Sequence, residues 1–187
     1  HLSIRRQRQM CIRDRSRALK RGSPLVFTYH HNDIAAYYPV AIAILDSGLV
    51  CSASLPCPAE MGASIHINGT GSSIIDTIFV CRHTGKIPRR WVAENEEDLA
   101  RLVREDFDKL LRGGVRLTMG DIRCIVFGHL TRMAVWNLRG GWDKDASTEE
   151  KTKKVRNWIS DFGGSSTIED YIEPGTSGIP RFRNSHA

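Results

Sequence analysis

PLVFTYHHND, residues 24 to 33, is an apolar, β-prone run that follows the Gly22-Ser23 punctuation and turns polar at its end. A short apolar run bounded in this way is the pattern of a buried strand, here Pro24 to His30. Asn32 or Asp33 then stands where a helix N-cap belongs. Ala35, Ala36, Val40, Ile42, Ala43 and Leu45 supply apolar surface as far as Asp46, and Gly48 is the stop. Pro39 inside that stretch predicts a late start or a kink, because proline lacks the N–H that a helix interior uses. Next, LVCSASL, Leu49 to Leu55, alternates apolar and small polar residues as a strand with one packed face does, and Pro56 and Pro58 are expected to end it. IIDTIFVC, Ile74 to Cys81, is the third strand. Strand, helix, strand, long Gly/Ser-rich excursion and strand fit the closing half of an α/β sheet whose last two strands are an antiparallel pair.

After Pro88 the period changes to that of helices. Asn95 caps an acidic first turn, and Leu99, Leu102, Val103, Phe107, Leu110 and Leu111 recur at helical spacing until Gly113-Gly114. A second helix is predicted from Gly120 or Asp121 to Leu138. A third follows the capping-box spacing of Ser147 and Glu150 and runs to about Phe162. From Gly163 onward the Gly, Ser and Pro content predicts a loose tail.

The formal charge is +6, and the pI of about 9.3 would ordinarily point to nucleic acid. Much of that excess sits in HLSIRRQRQMCIRDR at the start, which has neither helical nor strand period. Its segment RRQRQMCIRD, Arg5 to Asp14, resembles a translated sequencing adaptor. Residues 1–15 are therefore set aside as an artefactual N-terminus, expected to pack against nothing, and basicity is not counted as evidence of DNA binding. Cys51, Cys57, Cys81 and Cys124 lack the two-residue spacers of a zinc site and read as reduced, mostly buried thiols. No run approaches the roughly 18 apolar residues of a membrane span. The expectation is a cytoplasmic protein with no membrane partner and no metal.

The strand ending in Phe27-Thr28-Tyr29-His30-His31, the Gly48-Leu49 strand start, the Pro58-Ala59-Glu60 loop, and Asp76-Thr77-Ile78-Phe79-Val80-Cys81-Arg82 form a pattern over several elements. That pattern, over roughly residues 20 to 85, resembles the region after the catalytic loop in adenine-specific DNA methyltransferases of the large prokaryotic type. The resemblance implies the closing part of a class I, Rossmann-like methyltransferase sheet followed by a helical C-terminal region. It implies S-adenosylmethionine as cofactor and DNA as partner of the whole protein. Residues 16–88 would be the C-terminal part of the catalytic domain, 89–162 a helical accessory region and 163–187 a flexible tail. The family's Gly-rich cofactor turn and its Asp-Pro-Pro-Tyr motif occur nowhere in the sequence. The chain is therefore expected to be a fragment, inactive alone, with no catalytic residue of its own.

On the same resemblance, Tyr29, His30 and His31 line the wall of the base or cofactor pocket, at the carboxyl end of a strand, where α/β sheets place ligands. The alternative for each is that it covers the sheet edge. Adjacent residues on an extended segment point opposite ways, so at most one of the two histidines faces such a site. His66, Asn68 and Thr70 lie in the long loop, as DNA contacts or as ordinary polar surface. Asp76 reads as an edge charge or a partner of Arg82, the four tryptophans as packing residues, and Lys151, Lys153, Lys154 and Arg156 as a solvated helix face. Metal ligation by His30, His31 and Asp33 is disfavoured for want of a carboxylate cluster at another strand end. The second reading of the whole chain is a small non-enzymatic α/β binding module with a helical interaction region.

Overall fold

Alternation of side chains along three strands builds the sheet, and one long apolar helix covers one of its faces. The computed structural model describes residues 11–20, 22–58, 73–83, 89–162, 172–173 and 181–182. Among them the fold is mixed α/β, with five helices and a three-stranded antiparallel sheet. The strands are β1 (Leu25–Tyr29), β2 (Val50–Pro58) and β3 (Ile75–Arg82). The helices are α1 (residues 11–18), α2 (Tyr38–Asp46), α3 (Glu96–Arg112), α4 (Met119–Leu138) and α5 (Thr148–Asp161). A two-residue antiparallel pair, β4 (Ile172–Glu173) with β5 (Arg181–Phe182), lies in the stretch expected to be a loose tail.

The three predicted strands share one sheet, in the order β1-β3-β2, and β3 is antiparallel to both neighbours. β1 and β2 therefore run the same way, joined through α2, with β3 reversed between them. β2 continues through Pro56 and Pro58, which were expected to end it. The reason is position: β2 is an edge strand, where a residue without an N–H leaves no ladder bond unmade. One register shift between Cys51 and Ala53 places a bulge at Ser52, whose hydroxyl donates to the Val80 carbonyl at 3.0 Å.

Alternate residues of β3 are buried, with Ile75, Thr77, Phe79 and Cys81 facing the helices. α4 lies on this face and is enclosed along most of its length, from Asp121 to Val135. Gly128 permits the approach, since a Cβ there would come within 2.7 Å of Thr77 Cγ2. α2 packs against α4 and α5, and α3 against α4. A single core runs from Leu25 and Phe79 through Tyr37, Ile44, Leu99 and Leu130 to Val155 and Ile159.

Helix ends follow the capping chemistry. Asn95 accepts from the Asp98 N–H, and Thr118 with Asp121 and Ser147 with Glu150 form reciprocal capping boxes. Asp33 caps only a short 3-10 turn, Ile34–Ala36, and α2 starts late, with Pro39 in its first turn. Gly48, at φ 67°, takes the left-handed turn after α2.

Two expectations need correction. Residues 11–18 are helical, and Ile12 is 9 % exposed within the core while Cys11 stays in solvent. The Ser16 carbonyl is 2.8 Å from His83 Nε2. The helical turn that puts Ile12 on the core overturns the expectation that residues 1–15 pack against nothing; residues 1–10 lie outside the described residues. Lys151 is likewise not part of a solvated face: it is buried, with Nζ 2.9 Å from Asp46 Oδ1. Trp142 Nε1 donates to the same oxygen at 2.9 Å. The two donors offset an acidic residue at the C-terminus of α2, where the helix dipole disfavours it.

Candidate functional site

Tyr29, His30 and His31 come together with the start of β3 and the first half of α4. Tyr29 ends β1, and its hydroxyl donates to the Ala36 carbonyl at 2.8 Å. Its ring meets Tyr37 edge-on, with centroids 4.8 Å apart. The strand end is thereby fixed to the turn that leads into α2. Tyr37 is fully buried, and burial pushes its phenol far above the ordinary range. Its hydroxyl sits beside Thr77 and the His31 backbone without a well-formed hydrogen bond.

The two histidines point to different surroundings, as extended backbone requires. His30 Nδ1 lies 2.8 Å from the Ile75 carbonyl and donates to it. Asp76 Oδ1 is 3.7 Å from that same Nδ1, so this carboxylate attracts the ring without bonding it. Asp76 is thus a neighbour of His30 and not of Arg82, whose guanidinium donates to the Gly22 carbonyl at 3.1 Å. His31 is exposed, and its Nδ1 accepts the Asp33 N–H at 3.0 Å. That bond gives His31 a local turn-forming role. His66, Asn68 and Thr70 lie outside the described residues.

Cys124 and Asp121 of α4 form the floor. The Cys124 thiol points at the His31 carbonyl, 3.6 Å away, with His30 Nδ1 at 4.0 Å. Burial pushes this thiol up, and the neighbouring His30 nitrogen is already committed to Ile75. The pair therefore lacks the thiolate and free base of a nucleophilic couple. Asp121 is fully buried. Its Oδ1 accepts from the Ser73 hydroxyl and the Ile74 N–H at 2.8 and 2.7 Å, and its Oδ2 from the Thr118 N–H and hydroxyl at 2.7 and 2.8 Å. One side chain thus caps α4 and anchors the start of β3.

A second polar cluster was not anticipated from the sequence. His129 of α4 is held between Asp106 Oδ2 at 3.0 Å on Nε2 and, on Nδ1, the Ser54 hydroxyl at 3.3 Å and Arg132 at 3.2 Å. The Nδ1 contacts are donors, so Nε2 carries the proton. Burial, ahead of the opposing Asp106 bond, pushes His129 down, and the nearby Arg132 charge adds to this. Burial raises Asp106, but its contacts with His129 and Lys109 outweigh that and hold it below the ordinary carboxylate range. Ser54, His129 and Asp106 have the composition of a catalytic triad. They are buried and Arg132 also occupies Nδ1, so the arrangement joins α3 and α4 to β2 and presents no nucleophile. The residues lie far apart in sequence, and only the shared burial of one acidic, one basic and one imidazole side chain reveals them.

On the face of the sheet away from α4, the described residues leave apolar side chains in contact with solvent. Val26 is 51 % exposed and Leu55 48 %. The register places Val26 beside Val80 and Ala53, and Thr28 beside Ile78 and Leu55. On β3 the same alternation puts Asp76 at one end of this stripe and Arg82 at the other. Among the described residues no helix is long and apolar enough to cross a membrane, and no group of three or more His, Cys, Asp or Glu has a metal-holding arrangement. Compared with family models, curated proteins and solved structures, the chain matches none of them.

Proposed function

We propose that this chain is a non-catalytic α/β binding module that takes an amphipathic helix of a protein partner across the open face of its sheet. The observation that carries this reading is the stripe of Val26, Val80, Ile78, Ala53 and Leu55, with Asp76 and Arg82 at its ends. An apolar centre with a charged rim is the anatomy of a protein interface. A sheet apolar on both faces is stable when helices cover both, and here α4 covers one. The supporting test is binding of a synthetic amphipathic helix of about 18 residues with one leucine-rich face, followed by fluorescence anisotropy. Val26→Glu with Leu55→Glu is expected to weaken binding at least about tenfold, roughly 1.4 kcal/mol. Lys153→Glu on α5 leaves it unchanged. Equal binding by all three proteins, or none by the unsubstituted chain, contradicts the reading.

A second reading is favoured by one specific observation, the reversed β3 lying between parallel β1 and β2. The same chain path is expected where a class I methyltransferase sheet closes. In that reading the covering helix and further strands belong to the same polypeptide as this chain, S-adenosylmethionine and DNA bind the assembled protein, and Tyr29 and His30 stand at the strand end nearest the pocket. Genomic sequence upstream decides between a partner in trans and one in cis. An in-frame Gly-rich turn and Asp-Pro-Pro-Tyr support the methyltransferase reading, and a natural start codon close to Arg17 contradicts it.

A further inference from the structure

Cys51 of β2 and Cys81 of β3 stand directly opposite each other in the antiparallel ladder. Both are free thiols, and both are buried, at 1 % and 0 % exposure. Directly opposed residues in such a ladder have Cα atoms about 4.5 or 5.5 Å apart, according to whether ladder bonds join them. Either spacing falls inside the range of about 4.4 to 6.8 Å that a disulfide spans. The Cys51 thiol donates to the Ala53 carbonyl across the bulge at 3.2 Å. The other described cysteines stand elsewhere: Cys57 opposes Asp76, Cys124 lies beneath His31, and Cys11 is exposed on α1.

Access for an oxidant is built into the same place. β2 is an edge strand, and its bulge at Ser52 interrupts the ladder beside Cys51. A bulged edge opens locally at lower cost than a central strand does. The buried Arg132 of α4 lies on the same inner face, bonded to His129, which in turn contacts Ser54 of β2.

We propose that Cys51 and Cys81 are a reversible redox staple, joined across β2 and β3 by a low-molecular-weight disulfide such as oxidised glutathione. When the β2 edge opens, the Cys51 thiolate attacks one sulfur of the oxidant. A mixed disulfide forms and one reduced thiol leaves. The Cys81 thiolate then attacks the Cys51 sulfur, the Sγ–Sγ bond forms and the second reduced thiol leaves. Two protein thiols give up two protons and two electrons, and the oxidant's S–S bond receives them. The adjacent Cys51 thiol and burial push the Cys81 thiol up, so closure is slow and waits on opening of the edge. Once formed, the bond removes that opening and fixes β2 to the sheet.

The test is incubation of the whole chain across a series of oxidised to reduced glutathione ratios, followed by acid quench, alkylation and peptide mapping. The expected result is a loss of about 2 Da, a linked peptide pair holding Cys51 and Cys81, reversal by dithiothreitol and a higher midpoint of thermal unfolding. Cys51→Ser and Cys81→Ser each abolish the link, and Cys57→Ser leaves it. Alkylation of both cysteines as free thiols at every ratio, or a link through another pair, overturns the proposal. Mapping of the unsubstituted protein distinguishes these outcomes even where a serine variant fails to fold.

Discussion

Two buried side chains carry more of this structure than their neighbours do. Both oxygens of Asp121 are taken up by donors from Ser73, Ile74 and Thr118, so Asp121→Ala strands the buried Ser73 hydroxyl and the part-buried Ile74 N–H and removes the cap of α4 at once. The expected loss is about 2–4 kcal/mol by denaturant unfolding, and a loss under about 0.5 kcal/mol, the usual effect of a surface substitution, contradicts the anchoring role. His129 is the second. Its folded pKa is lowered while the unfolded value is near 6.5, so below that pH the unfolded chain takes up a proton that the folded chain resists. Stability is therefore expected to fall as pH drops below about 6.5, by up to about 1.4 kcal/mol per unit. Asp106, held low, adds its own loss only as pH falls further, through the carboxylate range. His129→Gln is expected to flatten the first part of that dependence, whatever it does to stability at pH 7. A variant with the wild-type slope places the acid sensitivity elsewhere.

At the scale of elements, most of the architecture was legible because it rests on periodicity and caps. The three strands, the late start at Pro39 and the caps at Asn95 and Ser147 all follow from local chemistry. What failed depended on neighbours distant in sequence. Pro56 and Pro58 read as strand ends until the edge position of β2 is known, and Ile12 read as packing against nothing until its helix meets the core. At the candidate site, the placing of Tyr29 and His30 at a strand end was legible. Their contacts were not: Tyr29 reaches Ala36 in the turn that follows, while β3 and α4 supply the Ile75 and Cys124 neighbours of His30. Gly128 likewise looks like a weak point in a helix, yet it sets the distance between α4 and β3. Gly128→Ala would drive a methyl into Thr77, overpacking that is expected to cost about 1–3 kcal/mol despite alanine's better helix propensity. A more stable variant by thermal unfolding would show that α4 is free to move away from the sheet.

At the scale of the whole molecule, the decisive asymmetry among the described residues is a sheet with one face closed by α4 and the other leaving Val26 and Leu55 exposed and Ile78 and Val80 half-buried. The inner face joins every helix from α2 to α5 through a single core, so the fold does not need the outer stripe for cohesion. That leaves Val26, Leu55, Ile78 and Val80 available to a covering helix, supplied by a partner or by a larger polypeptide. In a joined methyltransferase, Tyr29→Ala or His30→Ala is expected to lower turnover on DNA with folding intact, and unchanged turnover would make the strand end purely structural. The most direct measurement is methyl-resolved NMR of the whole chain during titration with the amphipathic helix. Binding across the open face predicts shifts concentrated at Val26, Leu55, Ile78 and Val80, with Ile44, Leu130 and Val155 unmoved. Shifts confined to α5, or spread evenly through the inner core, would contradict it.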